Sequence, residues 1–155
     1  MRLSIPFAVV ILALAQQACS RSHSVEDTAA DIISAVNSGD SRALWAMTST
    51  RSKNTLSEQL SGLKSNLAGR EHLNRYLGLE LSDSEIESLT AEDFFVHMMA
   101  SDPGWGVQQL ELVRVELVDV DDDYEVARVI YQAEGKDGVN ILIKEDGQWR
   151  FDYDF

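Results

Sequence analysis

The side chains best suited to acid–base chemistry in this sequence are its histidines, because imidazole titrates near neutral pH. His97 lies between Val96 and Met98 in an apolar stretch, where a neighbouring polar group would make it a general base. His23, His72 and His97 are far apart and show neither of the short histidine spacings typical of zinc sites. A histidine packed in the core or at its rim is the alternative for His97, because its spacing identifies no partner.

A run of acids at 119 to 125 is the other chemically suggestive feature, with five carboxylates in seven residues. The calcium loop of an EF-hand needs a glycine at its sixth position, and this run has none. We therefore interpret the run as a solvated turn between strands. The sequence also lacks a glycine-rich phosphate loop and a nucleophile elbow. It predicts no metal, no cofactor and no catalytic set of residues.

Charge and length narrow the class of protein further. The 155 residues include 13 Lys and Arg against 26 Asp and Glu, which gives a formal net charge of −13. Such a surface argues against nucleic-acid binding, which needs clustered cations. The length suits one domain. The single cysteine, Cys19, excludes an internal disulfide.

The N-terminus has the pattern of a secretory leader. Arg2 is followed by an uncharged, mainly apolar run at 5–15, which is too short to span a bilayer as a helix. An ordinary signal peptidase could cut after Ala13-Leu14-Ala15. That cleavage would release a soluble periplasmic or secreted protein, and an uncleaved anchor is a third possibility.

The residues after this run resemble the lipoprotein box of bacteria. Gln16-Gln17-Ala18-Cys19 places a small residue before a cysteine, which in such proteins becomes the acylated first residue of the mature chain. The resemblance implies a signal peptide at 1–18, a lipid such as palmitate on Cys19 and a tether at 19–24. Ser20 after the cysteine then implies an outer-membrane lipoprotein facing the periplasm.

Residues 25–155 are predicted to form one domain whose first part is helical. Ser24 is a hydroxyl cap followed by acids, and Ser82 and Thr90 begin capping-box patterns. Residues 50 to 54 are polar and predict a connection. A helical stripe of core leucines follows at Leu56, Leu60, Leu63 and Leu67.

The last part of the chain changes from helical spacing to a period of two. Apolar or alternating runs at 110–120, 124–133, 139–144 and 149–155 are separated by turn signals, of which Asp146-Gly147 is typical of a hairpin. The sequence therefore predicts the α+β class, with N-terminal helices packed on a curved four-stranded antiparallel sheet.

Two short motifs and the order of the elements point to a family. The first predicted helix ends in Val36-Asn37-Ser38-Gly39-Asp40, and the last hairpin leads into Gly147-Gln148-Trp149-Arg150-Phe151. With helices first and long hairpins last, the chain resembles the NTF2-like superfamily of cone-shaped α+β domains. The resemblance covers about residues 25–155.

The resemblance implies a cavity between helices and sheet. Some superfamily members, such as ketosteroid-isomerase-like and cyclase-like enzymes, keep an acid or base in that cavity. If this chain has such a cavity, the candidate ligand-binding residues are His97, Tyr131 and Tyr76, with Tyr153 and Arg128 as further candidates.

The sequence as a whole favours a lipid-anchored cell-envelope protein with a non-catalytic binding or interaction domain. Its expected partners are the membrane, through acylated Cys19, and an unknown small apolar ligand or protein. A homodimer through the sheet face is also expected. The alternative is a periplasmic enzyme of the ketosteroid-isomerase or cyclase kind that acts on a small apolar substrate.

Overall fold

The computed structural model of the protein describes residues 23–102, 106–107, 109–121 and 124–153, in which six helices precede four strands. The leader and Cys19 lie outside the described residues, as does part of the acidic run. The elements are α1 (Val25–Ser38), α2 (Ser41–Met47), α3 (Thr50–Lys64), α4 (Leu67–Leu77), α5 (Asp83–Ser88), α6 (Ala91–Ser101), β1 (Glu111–Asp121), β2 (Tyr124–Ala133), β3 (Lys136–Glu145) and β4 (Gln148–Asp152). The α+β class is confirmed. Within those ranges, no helix is both long enough and apolar enough to cross a membrane.

Local capping sets where several helices begin. Ser24 Oγ accepts the N–H of Asp27 at 3.1 Å, and the Asp27 carboxylate accepts the N–H of Ser24 in return. The same reciprocal box opens α5 at Ser82 and α6 at Thr90. Helix α1 ends at Gly39, whose φ of 69° is left-handed. The predicted caps are confirmed. They could be predicted from the sequence because each depends on groups only three or four residues apart.

Two helix boundaries differ from the prediction. Residues 50 to 54 are the first turn of α3 rather than a connection. Leu67, predicted in the core stripe, begins α4 and is 71% exposed. The chain turns back before it because buried Gly69 lies directly against the backbone of Leu63, where a Cβ atom would not fit.

The four strands form an antiparallel meander in the order β1-β2-β3-β4. The last two hairpins have two-residue turns at Glu134-Gly135 and Asp146-Gly147. All four turn residues have positive φ, between 49° and 76°. This pattern is the type I′ turn, whose twist matches that of the paired strands.

The main core lies between the helices and one face of the sheet. On that face Ala127, Leu142 and Phe151 lie side by side in register and are buried. Helix α1 packs across the face and contacts both β1 and β4. The core continues sideways between α3, α4 and α6 through Leu56 and Leu73, so the helices extend beyond the β4 edge of the sheet.

The two edges of the sheet differ in the segments that hydrogen-bond to them. At the β4 edge, Thr48 forms a parallel bridge with Phe151, and Ser49 donates its N–H to Phe151 O at 2.7 Å. At the β1 edge, Asn37 makes two hydrogen bonds to the backbone of Leu110, just before the strand. In the described part of the chain, β1 itself pairs only with β2.

Candidate functional site

A groove of about 320 Å³ opens where α3, α4 and α6 meet the end of β4. We call it the helical groove. Each helix contributes residues one turn apart, because its inner face continues from the core into the groove wall. The lining residues are Gln59, Leu63, His72, Leu73, Tyr76, Phe94, Met98 and Tyr153.

Aromatic rings dominate one wall of the helical groove. His72 and Tyr76 lie one turn apart on α4 and stack with their centroids 6.1 Å apart and their planes at 17°. The Tyr76 ring tilts against Phe94 of α6, at 6.5 Å and 50°. Because Tyr76 remains half exposed, this wall offers part of an aromatic side chain to a ligand.

The rest of the groove combines an apolar floor with a few polar groups. Leu73 is fully buried, and Met98 adds a polarisable thioether. Gln59 and His72 supply hydrogen-bonding groups. An apolar concavity of this volume with few polar groups is typical of a site for a small ligand.

Tyr153 closes one end of the groove and is positioned by four side chains that we call the Asp152 cluster: Ser49, Arg51, Ser52 and Asp152. Ser49 and Ser52 donate to Asp152 Oδ1 at 2.6 and 2.9 Å. Ser52 Oγ also accepts the N–H of Tyr153 at 2.9 Å. The cluster therefore ties the end of β4 to the first turn of α3.

The electrostatics of the cluster favour an ionised Asp152. Burial alone would raise the pKa of this carboxyl, but hydrogen bonds from Arg51, Ser49 and Ser52 outweigh burial and hold the pKa below its ordinary value. Arg51 contacts both carboxylate oxygens. The groups are all engaged with one another, so the geometry is that of a structural clamp.

A second carboxylate anchors the start of α3. Glu145, at the end of β3, accepts the N–H of Thr50 at 2.8 Å. A carboxylate there satisfies unpaired N–H groups and complements the positive end of the helix dipole. Together with the Asp152 cluster, it holds α3 in place as one wall of the groove.

The structure separates the three candidate binding residues. Tyr76 lines the helical groove, whereas His97 and Tyr131 are not among its lining residues. The Tyr131 ring lies over Gly138 of the neighbouring strand, where any added Cβ would collide with it. His97 is partly buried on α6, one turn after Asp93.

Of the further candidates, Tyr153 lies in the groove and Arg128 is exposed on the opposite sheet face. His72 was not among the predicted binding residues, because histidine spacing in the sequence was interpreted only in terms of a metal site. Its spacing of four from Tyr76 was the available signal. In the described ranges, no group of three or more His, Cys, Asp or Glu residues could hold a metal ion.

Comparisons with protein-family models, with curated proteins and with solved structures give no match for this chain. The fold is therefore described by its class alone: a small α+β domain with helices packed on a four-stranded antiparallel sheet.

Proposed function

We propose that this chain is a lipid-anchored cell-envelope protein whose domain binds a small apolar molecule in the helical groove without transforming it. The observation that carries the proposal is the aromatic wall of the groove, in which His72 stacks on Tyr76 above an apolar floor. A volume of about 320 Å³ suits a compact ligand with up to three rings.

The NTF2-like resemblance belongs to the same proposal. The order of helices before a curved antiparallel meander supports it. The binding place differs from the cavity that the resemblance implies, since Ala127, Leu142 and Phe151 fill that part of the sheet face. The proposed ligand site lies instead beyond the β4 edge.

The groove is tested with N-phenyl-1-naphthylamine, a neutral aromatic probe that fluoresces in apolar surroundings. Tyr76→Ala in the full chain should weaken probe binding about tenfold, because it removes the half-exposed aromatic side chain of the groove wall. Leu67→Ala is the matched control, since Leu67 is an exposed apolar residue of the same helix outside the groove. Equal affinity in both variants would exclude the groove as the binding site.

The anchor is tested separately by labelling with radioactive palmitate. The lipoprotein resemblance at Cys19 predicts label in the parental chain, recovered in the outer-membrane fraction, and none in Cys19→Ala. Residues 19–24 would then keep the domain within about 20 Å of the membrane, given the length of an extended chain. Label that persists in Cys19→Ala, or a parental chain that fractionates as soluble, would contradict the anchor.

The enzyme alternative requires a polar partner for His97. Asp93, the carboxylate one turn before it, already accepts hydrogen bonds from the backbone and side chain of Thr90. Those hydrogen bonds are the leading cause that lowers the pKa of Asp93. This arrangement explains Asp93 as a helix cap, and the charge interaction with His97 is the smallest of the causes that act on the pKa of Asp93.

A further inference from the structure

Strand β1 exposes apolar side chains at an edge of the sheet. Val113 is 49% exposed and Leu117 is 71% exposed. An exposed edge strand with apolar residues is a template for pairing with another strand, so proteins protect such edges or use them. The β4 edge is closed by Thr48 and Ser49, which leaves β1 as the open edge in the described part of the chain.

The sequence of β1 is complementary to itself around Val115. In an antiparallel pair centred on this residue, Arg114 of one copy faces Glu116 of the other, and Glu116 faces Arg114. The same register sets Val115 opposite Val115, and the irregularity of β1 at Val113 lies outside these three positions. Opposite charges and apolar residues that face one another directly are the pairs that stabilise antiparallel strands.

Side-chain geometry supports this register. Arg114 Nε donates to Glu116 Oε1 at 2.7 Å, so both charges lie on the same face of the strand. Both side chains are largely exposed. The pairing of β1 with β2 is regular from Arg114 to Val118, which gives a second strand an even ladder to join.

Other registers are disfavoured by charge. A slip of one residue would bring opposite faces of the two sheets together. When the second strand moves so that the centre is Arg114 or Glu116, two arginines or two glutamates lie directly opposite, which is destabilising. The charge pattern therefore selects the register centred on Val115.

We propose that β1 pairs with β1 of a second copy of this chain around a twofold axis at Val115. Two four-stranded sheets then form one eight-stranded sheet. We assign a second copy to the open edge because the charges of β1 are complementary to those of an identical antiparallel strand. This contact uses the edge of the sheet, whereas the sequence alone favours the face.

The register is tested by disulfide trapping in the full chain. Residues opposite each other in an antiparallel pair have Cα atoms about 4.5–5.5 Å apart, within reach of a disulfide. Val115→Cys should therefore give a covalent dimer under mild oxidation. The parental chain, whose one cysteine is Cys19, is the blank.

A mixed experiment distinguishes this register from any other contact. Arg114→Cys and Glu116→Cys chains should each give no covalent dimer, because in this register like positions have Cα atoms about 8 Å apart, beyond the reach of a disulfide. A mixture of the two should form a dimer. Failure of the mixture to cross-link, or covalent dimers from either variant alone, would overturn the proposed register.

Charge exchange tests the cause of the pairing. In the Val115→Cys chain, Arg114→Glu should lower the yield of dimer roughly tenfold, because two attractive pairs become repulsive. The double variant Arg114→Glu/Glu116→Arg restores both pairs and should restore the yield. If the double variant does not restore the yield, the proposal is wrong. It is also wrong if the purified parental chain is monomeric, or if it is dimeric but Val115→Cys does not cross-link.

Discussion

The two edges of the sheet carry the same kind of ion pair in opposite settings. At the β4 edge, Arg51 pairs with Asp152, whose side chain is only 9% exposed. At the β1 edge, Arg114 pairs with Glu116, which is 44% exposed. Removing one partner lowers the free energy of unfolding more for a buried ion pair than for an exposed one. The reason is that a carboxylate that loses its partner in the interior cannot regain hydration. One edge therefore holds the fold together, and the other remains available for contacts.

The largest expected effect is at the closed edge. Asp152→Ala should lower the free energy of unfolding by about 3 kcal/mol, because it removes the largely buried carboxylate that accepts hydrogen bonds from Arg51, Ser49 and Ser52. Urea denaturation measures this. The same variant should weaken probe binding in the helical groove, since Tyr153 is held by Ser52. A loss below 0.5 kcal/mol would contradict the clamp.

The next largest effect on stability is expected where α4 packs closely against α3, beside the closed edge. Gly69→Ala should cost about 2 kcal/mol, because the added methyl group meets the backbone of Leu63 and forces α3 and α4 apart. Gly62→Ala is the control in α3: it has open space around it and should stabilise the helix by up to about 1 kcal/mol. Thermal unfolding of both variants measures the difference, and similar midpoints would contradict the close approach.

The closed edge should also make stability depend on pH. The pKa of Asp152 is lower in the folded chain than its ordinary value, so its ionisation stabilises the fold above the unfolded pKa of about 3.9. That contribution is lost as pH falls through the lower, folded pKa. Asp152→Asn should therefore show a flatter decline of the free energy of unfolding below about pH 4. Parallel curves for the two chains would show that Asp152 does not titrate as described.

The smallest expected effect is at the open edge. Glu116→Ala should change the unfolding free energy of the monomeric chain by less than about 0.5 kcal/mol, because exposed pairs are screened by water. Dilute protein is used for this measurement, so that self-association does not contribute. A loss as large as that of Asp152→Ala would remove the distinction between the two edges.

Elements defined by near neighbours could be predicted from the sequence. The caps at Ser24, Ser82 and Thr90 depend on an acid three residues away, and the turn at Asp146-Gly147 depends on two residues that adopt positive φ. Leu67 was wrongly assigned to the core. The regular spacing of leucines suggested one continuous helix, whereas a new helix begins at Leu67 and Gly69 packs against the backbone of Leu63.

The helical groove could not be predicted to the same extent. Tyr76 was a candidate, but its relation to Phe94 depends on how α4 packs on α6. Tyr153 reaches the groove through Ser52, a hydrogen bond across 101 residues. No local pattern reports such a distant pairing.

The sequence by itself determined the order of helices and strands, the caps and the hairpin turns, because each of these results from hydrogen bonds and backbone angles within a few residues. Tertiary structure alone decided which edge of the sheet is closed, where the groove lies and which rings line it. Those features arise when segments about a hundred residues apart bury apolar surface together, and the depth of that burial determines whether a charged pair stabilises the fold or remains exposed to solvent.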